Sequence, residues 1–395
     1  TTNFFTYIDS TNLRCNIAHR GKNKQKRHDL RQIGLAMVVT REDMIPVFHH
    51  TYQGNINDTV IFKTVIEKIK NRIEGLKLNL EKHTVVFDRG NNSKKNMSIV
   101  QDLQLHYVGA LTPYHHKKLI NESADKFYEL NVCGNMFKVY RDKQIIWQEE
   151  RTVVIFISKE LKNGQIRGIY QSLGKIEKQL KQLQKELCKP RAKKRNKKQL
   201  ENKIINLLKK QFIKNLINWS LNEIANGKFQ LQFSINQNRL KEIEDNLGFR
   251  ILMTNRHDWS TVDIIKAYYG QSKIEQAFKN LKNAYHLALK PQFHWTDQKI
   301  AVHYFICILG YLLATIVWRQ ARLKVKFKGT LDRLLDILNN IRLATMLEET
   351  TTRGRVKAIY KLEEMSDEEN LIMEALNIKN LHTNRPKFLD VGVYK

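Results

Sequence analysis

Two hydrophobic rhythms alternate along the chain: short β-branched runs, and apolar positions spaced three and four apart. Near the start, "FFTYIDSTNL" (4–13), "RQIGLAMVVT" (31–40) and "MIPVFHHTY" (44–52) are rich in β-branched and aromatic residues and separated by polar turns. They predict three consecutive strands. Val60, Ile61, Val65, Ile69 and Ile73 then recur at helical spacing within 58–76, behind a capping Asn57 or Asp58. A short buried strand over 82–90, a helix over 93–104 and a strand over 105–112 complete a βββαβαβ order. This order predicts a mixed α/β fold in which a sheet is covered by helices.

Residues 113–250 break that rhythm. The stretch 126–158 reads as several antiparallel strands, and Leu173, Ile176, Leu180, Leu183 and Leu187 then mark the seam of a helical hairpin or short coiled coil. Its second arm carries Leu200, Ile204, Leu208, Phe212 and Leu216. Between the arms lies "KPRAKKRNKK" (189–198), seven of whose ten residues are basic. This turn is either a solvated hairpin tip or an arm that grips phosphates through Lys193, Lys194 and Arg195. The α/β style returns at "FRILMTN" (249–255), and one helix is predicted over 260–283, begun by Ser260 and Asp263 as in a capping box. "IAVHYFICILGYLLATIVW" (300–318) carries no charge and is just long enough to span a bilayer. Its His303, Tyr304, Gly310 and Tyr311, set in a highly charged chain, favour a helix buried in a protein core instead.

Charge narrows the function. The 68 Lys and Arg against 39 Asp and Glu give a net charge of +29, far beyond what solubility needs, which points to a polyanionic partner, nucleic acid first. A 395-residue chain with 42% hydrophobic residues can fill two domains, or one domain with a large insertion. Cys15, Cys133, Cys188 and Cys307 lie far apart with no CxxC pair, fitting neither a zinc knuckle nor a disulfide framework, so a reducing cytosol is expected. The adjacent pairs His49-His50 and His115-His116 would point to opposite strand faces and are assigned no metal. Trp147, Trp219 and Trp295 are assigned to cores in preference to base stacking.

Two acids stand where carboxylates are costly, each emerging from an apolar run: Asp9 in "YIDST" and Asp88 in "VVFDRG". If their strands are neighbours, both reach one edge of the sheet. A third acid from the 260–283 helix, Glu275, would then complete a cluster of oxygen donors suited to two Mg²⁺ ions and phosphodiester displacement. Plainer roles exist for each: Asp9 capping a turn, Asp88 starting the Gly90 turn, Glu275 pairing with Lys279 at i,i+4. On a continuous helix Tyr268, Glu275 and Lys282 form one stripe, with Gln271 beside them.

"DST" on a first strand, "DRG" on a fourth, and Tyr268, Gln271, Glu275 and Lys282 on a late helix together resemble the DDE transposases of bacterial insertion sequences. The resemblance is to the branch with a large insertion between the second Asp and the Glu, marked by a Tyr-x2-Arg-x3-Glu-x6-Lys helix. Further matches are "GKNKQKRHDLRQIGLAMVV" (21–39), "YQGNINDT" (52–59), "RTVVIFIS" (151–158), "FRILMTN" (249–255) and "KPQFHWTDQKIAVHYFICILGYLL" (290–313), so that it covers roughly residues 4–320. The resemblance implies an RNase H-like mixed sheet with flanking helices, interrupted by an α+β insertion containing the helical hairpin. Residues 1–112 would form the first part of the catalytic domain, 113–250 the insertion, 251–320 the second part with Glu275, and 321–395 a helical C-terminal region.

It further implies that Asp9, Asp88 and Glu275 bind two divalent ions, Mg²⁺ with Mn²⁺ as a substitute, and catalyse strand cleavage and transfer at the ends of a mobile element. Tyr268 and Lys282 match residues that contact phosphates of the transposon end. Gln271 stands where the family has Arg, so it lacks the charged bidentate fork, and Lys273 is the compensating candidate. The expected partners are double-stranded DNA, at transposon ends and target, and a second copy of the chain when bound to DNA; the expected location is the bacterial cytoplasm, associated with the nucleoid, with no membrane. The alternative is a catalytically weakened or inactive DNA-binding protein derived from such a transposase. A junction resolvase fits less well, given the long insertion and the Tyr268/Lys282 pair. Family members usually carry a region before the first strand, so a sequence beginning at Thr1 is expected to be a truncated piece or a decayed copy.

Overall fold

In the computed structural model, residues 2–6, 15–23, 26–189, 196–209, 213–225, 227–290, 292–348 and 357–378 are described. The chain opens with strands β1 (Thr2–Thr6), β2 (His19–Arg20), β3 (Arg31–Val39) and β4 (Pro46–Gln53), then α1 (Asp58–Gly75), β5 (Thr84–Val86), α2 (Lys94–Asp102) and β6 (His106–Leu111). Apart from the two-residue β2, this is the order the hydrophobic pattern predicts. Next come α3 (Lys117–Glu122), β7 (Tyr128–Val132), β8 (Asn135–Ile146), β9 (Glu149–Ile157), α4 (Lys159–Leu187), α5 (Lys197–Leu208), β10 (Ile217–Ala225), β11 (Lys228–Ile235), α6 (Gln237–Asp245) and β12 (Phe249–Thr254). Helices α7 (Thr261–Tyr269), α8 (Gln271–Lys282), α9 (Asp297–Val325) and α10 (Leu331–Asn340) precede the hairpin β13 (Leu343–Glu348) and β14 (Lys357–Leu362), and α11 (Asp367–Ala375) comes last. The fold is mixed α/β and consistent with the RNase H-like class. Contacts divide it into two units, Thr1–His106 with Ala267–Lys395, and Tyr107–Lys266.

In the first unit β3 is the hub. It runs antiparallel to β1, with Thr2 opposite Leu35 and Thr6 opposite Arg31, and antiparallel to β4, with Ile33 opposite Gln53 and a register slip between Val38 and Val39. Gln32 through Met37 are all buried, which is why β3 reads as a nearly unbroken apolar run and not an alternating one. Ile33 and Leu35 pack in one core with Ala277, Phe278 and Leu281 of α8 and Ile300, Tyr304 and Tyr311 of α9. Helix α9 is long and apolar enough to cross a membrane by length and composition. Its Ile300, Tyr304, Cys307, Ile308, Tyr311 and Ala314 build the core, while Val302, Phe305, Ile306 and Leu313 on the opposite side are each at least half exposed. The helix predicted to be buried is therefore buried along one face. The C-terminal region, expected to be helical, also contains the β13–β14 hairpin.

The second unit is built on β12, which pairs antiparallel with β6 on one side and β9 on the other, so Leu252 lies opposite both Ala110 and Val154. Strands β9, β8 and β7 continue as the expected antiparallel meander. Its turns are two residues long, Cys133-Gly134 and Trp147-Gln148, and all four residues have positive φ, as turns of the I′ type require. The heptad leucines of α4 are buried as predicted, against Leu200, Ile204 and Leu208 of α5. The second arm stops at Leu208, however. Phe212 lies outside the described residues, and Leu216 is buried just ahead of β10. The hairpin β10–β11 then covers the seam with Leu221, Phe229 and Leu231. Its alternating apolar and polar residues come directly after the heptads, and the change of period from 3.5 to 2 marks the end of the helix.

Burial pushes the imidazoles of His49, His50, His116 and His303 below the ordinary histidine value, with nearby cationic charge adding to it at the last three. Each depressed value means that the unfolded chain takes up its proton first as pH falls. Their stabilising contribution is complete above about pH 6.5 and is lost as pH drops through the depressed folded values. Urea midpoints measured between pH 7.5 and 5 should fall steadily; a midpoint constant across that window contradicts neutral histidines.

Candidate active site

Strand β5 is short, and the residues just past its end fix Asp88. Phe87 is buried and meets Phe62 of α1 edge to face at 5.2 Å between ring centroids, anchoring the chain one residue before the acid. Asp88 then caps the 3-10 turn Arg89–Asn91, its Oδ1 accepting the Arg89 backbone N–H at 2.7 Å. The carboxylate is exposed, and among the described residues Oδ2 has no hydrogen-bond partner. Capping thus engages one oxygen and leaves the other open.

Asp9 belongs to residues 7–14, outside the described residues, as do Lys193, Lys194 and Arg195. The chain just after Asp9 is anchored: Asp297 Oδ1, in the first turn of α9, accepts the backbone N–H groups of Asn16 and Ile17 at 2.8 and 3.0 Å. Among the described residues no three His, Cys, Asp or Glu side chains gather as a metal site.

The helix predicted over 260–283 is broken at Gly270. Ser260 does cap its start, its hydroxyl accepting the Asp263 N–H at 3.1 Å. At the break, Gly270 N–H bonds Ala267 O and Lys273 N–H bonds Gly270 O, both at 3.0 Å, a tightened 3-10 junction between α7 and α8. A Cβ built on Gly270 would lie 2.9 Å from the Ala267 carbonyl oxygen and 3.0 Å from Arg41 Cγ. Gly270→Ala should therefore lower stability by about 1–3 kcal/mol despite alanine's better helix propensity. A thermal melt that rises instead contradicts the crowding.

The junction also changes the expected stripe. Tyr268, on α7, is only 7% exposed. Glu275 and Lys282 remain together on α8, because the helix buries Ala277, Phe278 and Leu281 and turns its other side outward. Among the described residues Glu275 has no ion-pair partner, so the i,i+4 pairing with Lys279 is not formed. One turn before Glu275, the Nε2 of Gln271 is enclosed and makes no hydrogen bond, and Lys273 is exposed.

Glu275, Lys279 and Lys282 line a groove of about 460 Å³ floored by Phe278, with Lys290, Asn283 and Asp332 completing its wall. Asn283 Nδ2 donates to Asp332 Oδ1 at 3.0 Å, tying the end of α8 to the first turn of α10. Burial, and then the neighbouring Lys290 charge, push the Lys282 ammonium below the ordinary lysine value. The groove thus presents one open carboxylate beside three ammonium groups. The family model for the transposase DDE domain matches residues 5–291.

This chain belongs to the DDE transposase family. A comparison with curated proteins returns no match. The matched region spans Asp9, Asp88 and Glu275. Transposases act on DNA, and this family generally uses divalent metal. What sequence reasoning missed in this transposase is Lys290, Asn283 and Asp332. Lys290 lies in an irregular segment with no periodicity to place it, and Asp332 comes from a helix 57 positions beyond Glu275 whose approach no local pattern announces. Lys279 carried a signal, its i,i+4 spacing, but that pointed to pairing with Glu275.

Proposed function

We propose that this transposase cleaves DNA at the ends of an insertion sequence and joins the released 3′ ends to a target, with Asp9, Asp88 and Glu275 as the acids that hold two divalent ions, Mg²⁺ or Mn²⁺. The observation that carries this reading is the open state of the two described acids. Glu275 faces a groove rich in lysine without a cation of the protein on it, and Asp88 keeps one oxygen free at the end of a strand. Hard carboxylate oxygens of this kind suit Mg²⁺. Divalent ions held there would supply activation of an attacking hydroxyl or water and stabilisation of the leaving oxygen.

The chain's own residues have separable tasks. Asp88 is held in place by its cap on Arg89 N–H and by the Phe87 anchor. Glu275 is held by the packing of Ala277, Phe278 and Leu281 behind it. Lys282 and Lys273 supply positive charge toward the DNA backbone, Gln271, whose Nε2 is enclosed, provides no charged fork in arginine's place, and Lys193, Lys194 and Arg195 are further candidates for phosphate contact. The burial of Tyr268 favours support of the α7–α8 junction over direct phosphate contact. A dimer on DNA is expected because two element ends must be joined.

The test is cleavage of DNA carrying the element's ends, with and without Mg²⁺, by the natural chain and by Asp88→Asn. Cleavage that requires the ion and disappears in the variant is expected. Equal cleavage by both proteins overturns the catalytic reading, and ion-independent end binding with no cleavage by either favours a DNA-binding protein derived from a transposase, the reading that Gln271 in place of Arg sustains.

A further inference from the structure

We infer that Lys290, with Lys279 and Lys282, forms a three-ammonium clamp that takes a backbone phosphate of the DNA strand lying beside Glu275; the inference rests on the transposase reading of that groove. All three lysines line one groove together with Glu275, although they come from two different parts of the chain. Lys279 and Lys282 are carried by α8, while Lys290 lies eight residues past its end, in the irregular segment before α9. That segment is held where it is: Leu289 N–H donates to Leu281 O at 3.1 Å, and Leu289 is wholly buried in the core. Lys290 therefore reaches the groove from a fixed backbone.

Among the described residues neither Lys279 nor Lys290 has a carboxylate within ion-pair distance. Of the two acids present, Asp332 already accepts a hydrogen bond from Asn283 and pins the α10 side of the groove. Like charges gathered in a concave, partly apolar site repel one another unless an anion joins them. A phosphodiester satisfies that need with two acceptor oxygens, and lysine ammoniums bind it as point charges that tolerate a sliding backbone. Lys290 is a positioning residue here: it sets the strand's register relative to Glu275.

The experiment measures binding of end-bearing DNA across a salt series, and cleavage kinetics, for the natural chain, Lys290→Gln, Lys290→Arg and an exposed lysine control, Lys178→Gln. Lys290→Gln should reduce the slope of log K against log salt by up to about 0.9, the value for one whole phosphate contact. It should also raise KM several-fold more than it lowers kcat, and Lys290→Arg should restore both. An unchanged slope and KM in Lys290→Gln, matching Lys178→Gln, overturn the clamp. If no protein cleaves but the slope still falls for Lys290→Gln alone, the clamp stands and the catalytic reading fails separately.

Discussion

Glu275→Gln should reduce strand cleavage by about a thousandfold while end binding at fixed salt changes by less than about twofold. The side chain keeps its size and its exposed place on α8, so the helix packing of Ala277, Phe278 and Leu281 is untouched. What is lost is one anionic donor from a site proposed to hold divalent ions, worth several kcal/mol of transition-state stabilisation; ~4 kcal/mol corresponds to about three decades in rate. Binding is held by lysines elsewhere in the groove, and removing a carboxylate from beside them relieves a repulsion with the incoming phosphates. A fall in binding as large as the fall in cleavage would mean that Glu275 organises the groove instead of the chemistry.

Leu281→Ala is the second large effect, and it tests the scaffold. Leu281 is fully buried in the core shared by β3, α8 and α9, and sits one residue before Lys282. Truncation removes most of a buried side chain and leaves a cavity, at a cost of about 2–5 kcal/mol. The first unit should melt at lower temperature, and cleavage should decline with it, because Glu275 and the lysines depend on α8 lying flat against the sheet. Leu281→Met, which conserves volume, should cost less than about 1.5 kcal/mol and restore activity. A loss below about 1 kcal/mol for the alanine variant would show that α8 is not held by this core.

The elements were legible where one physical rule acts alone. Ile33 to Met37 are buried on both strand faces and therefore uniformly apolar; the α4 leucines keep a three-and-four spacing because one seam is buried. The break at Gly270 was hidden, because both sides of it obey helical periodicity, and the close approach of Arg41 that leaves no room for a side chain there comes from a distant part of the sequence. The β8–β9 turn was equally silent: Trp147 and Gln148 take positive φ without the Asn or Gly that signals it. Of the proposed acids, Asp88 stood out as an isolated carboxylate at the end of an apolar run, and Glu275 only through its spacing on the helix. The groove was visible only through its α8 residues, since Lys290 and Asp332 join it by tertiary folding of segments that carry no pattern of their own.

The central claim is that Asp9, Asp88 and Glu275, far apart in sequence, hold the same divalent ions. Its most direct measurement replaces Mg²⁺ with Fe²⁺ and adds hydrogen peroxide with ascorbate, so that radicals generated at the bound ion cut the polypeptide nearby. Cuts are predicted close to all three positions, all suppressed by excess Mg²⁺ and all weakened together by Asp88→Asn. Cuts near Asp88 or Glu275 alone, or a pattern indifferent to Mg²⁺, would contradict a shared site.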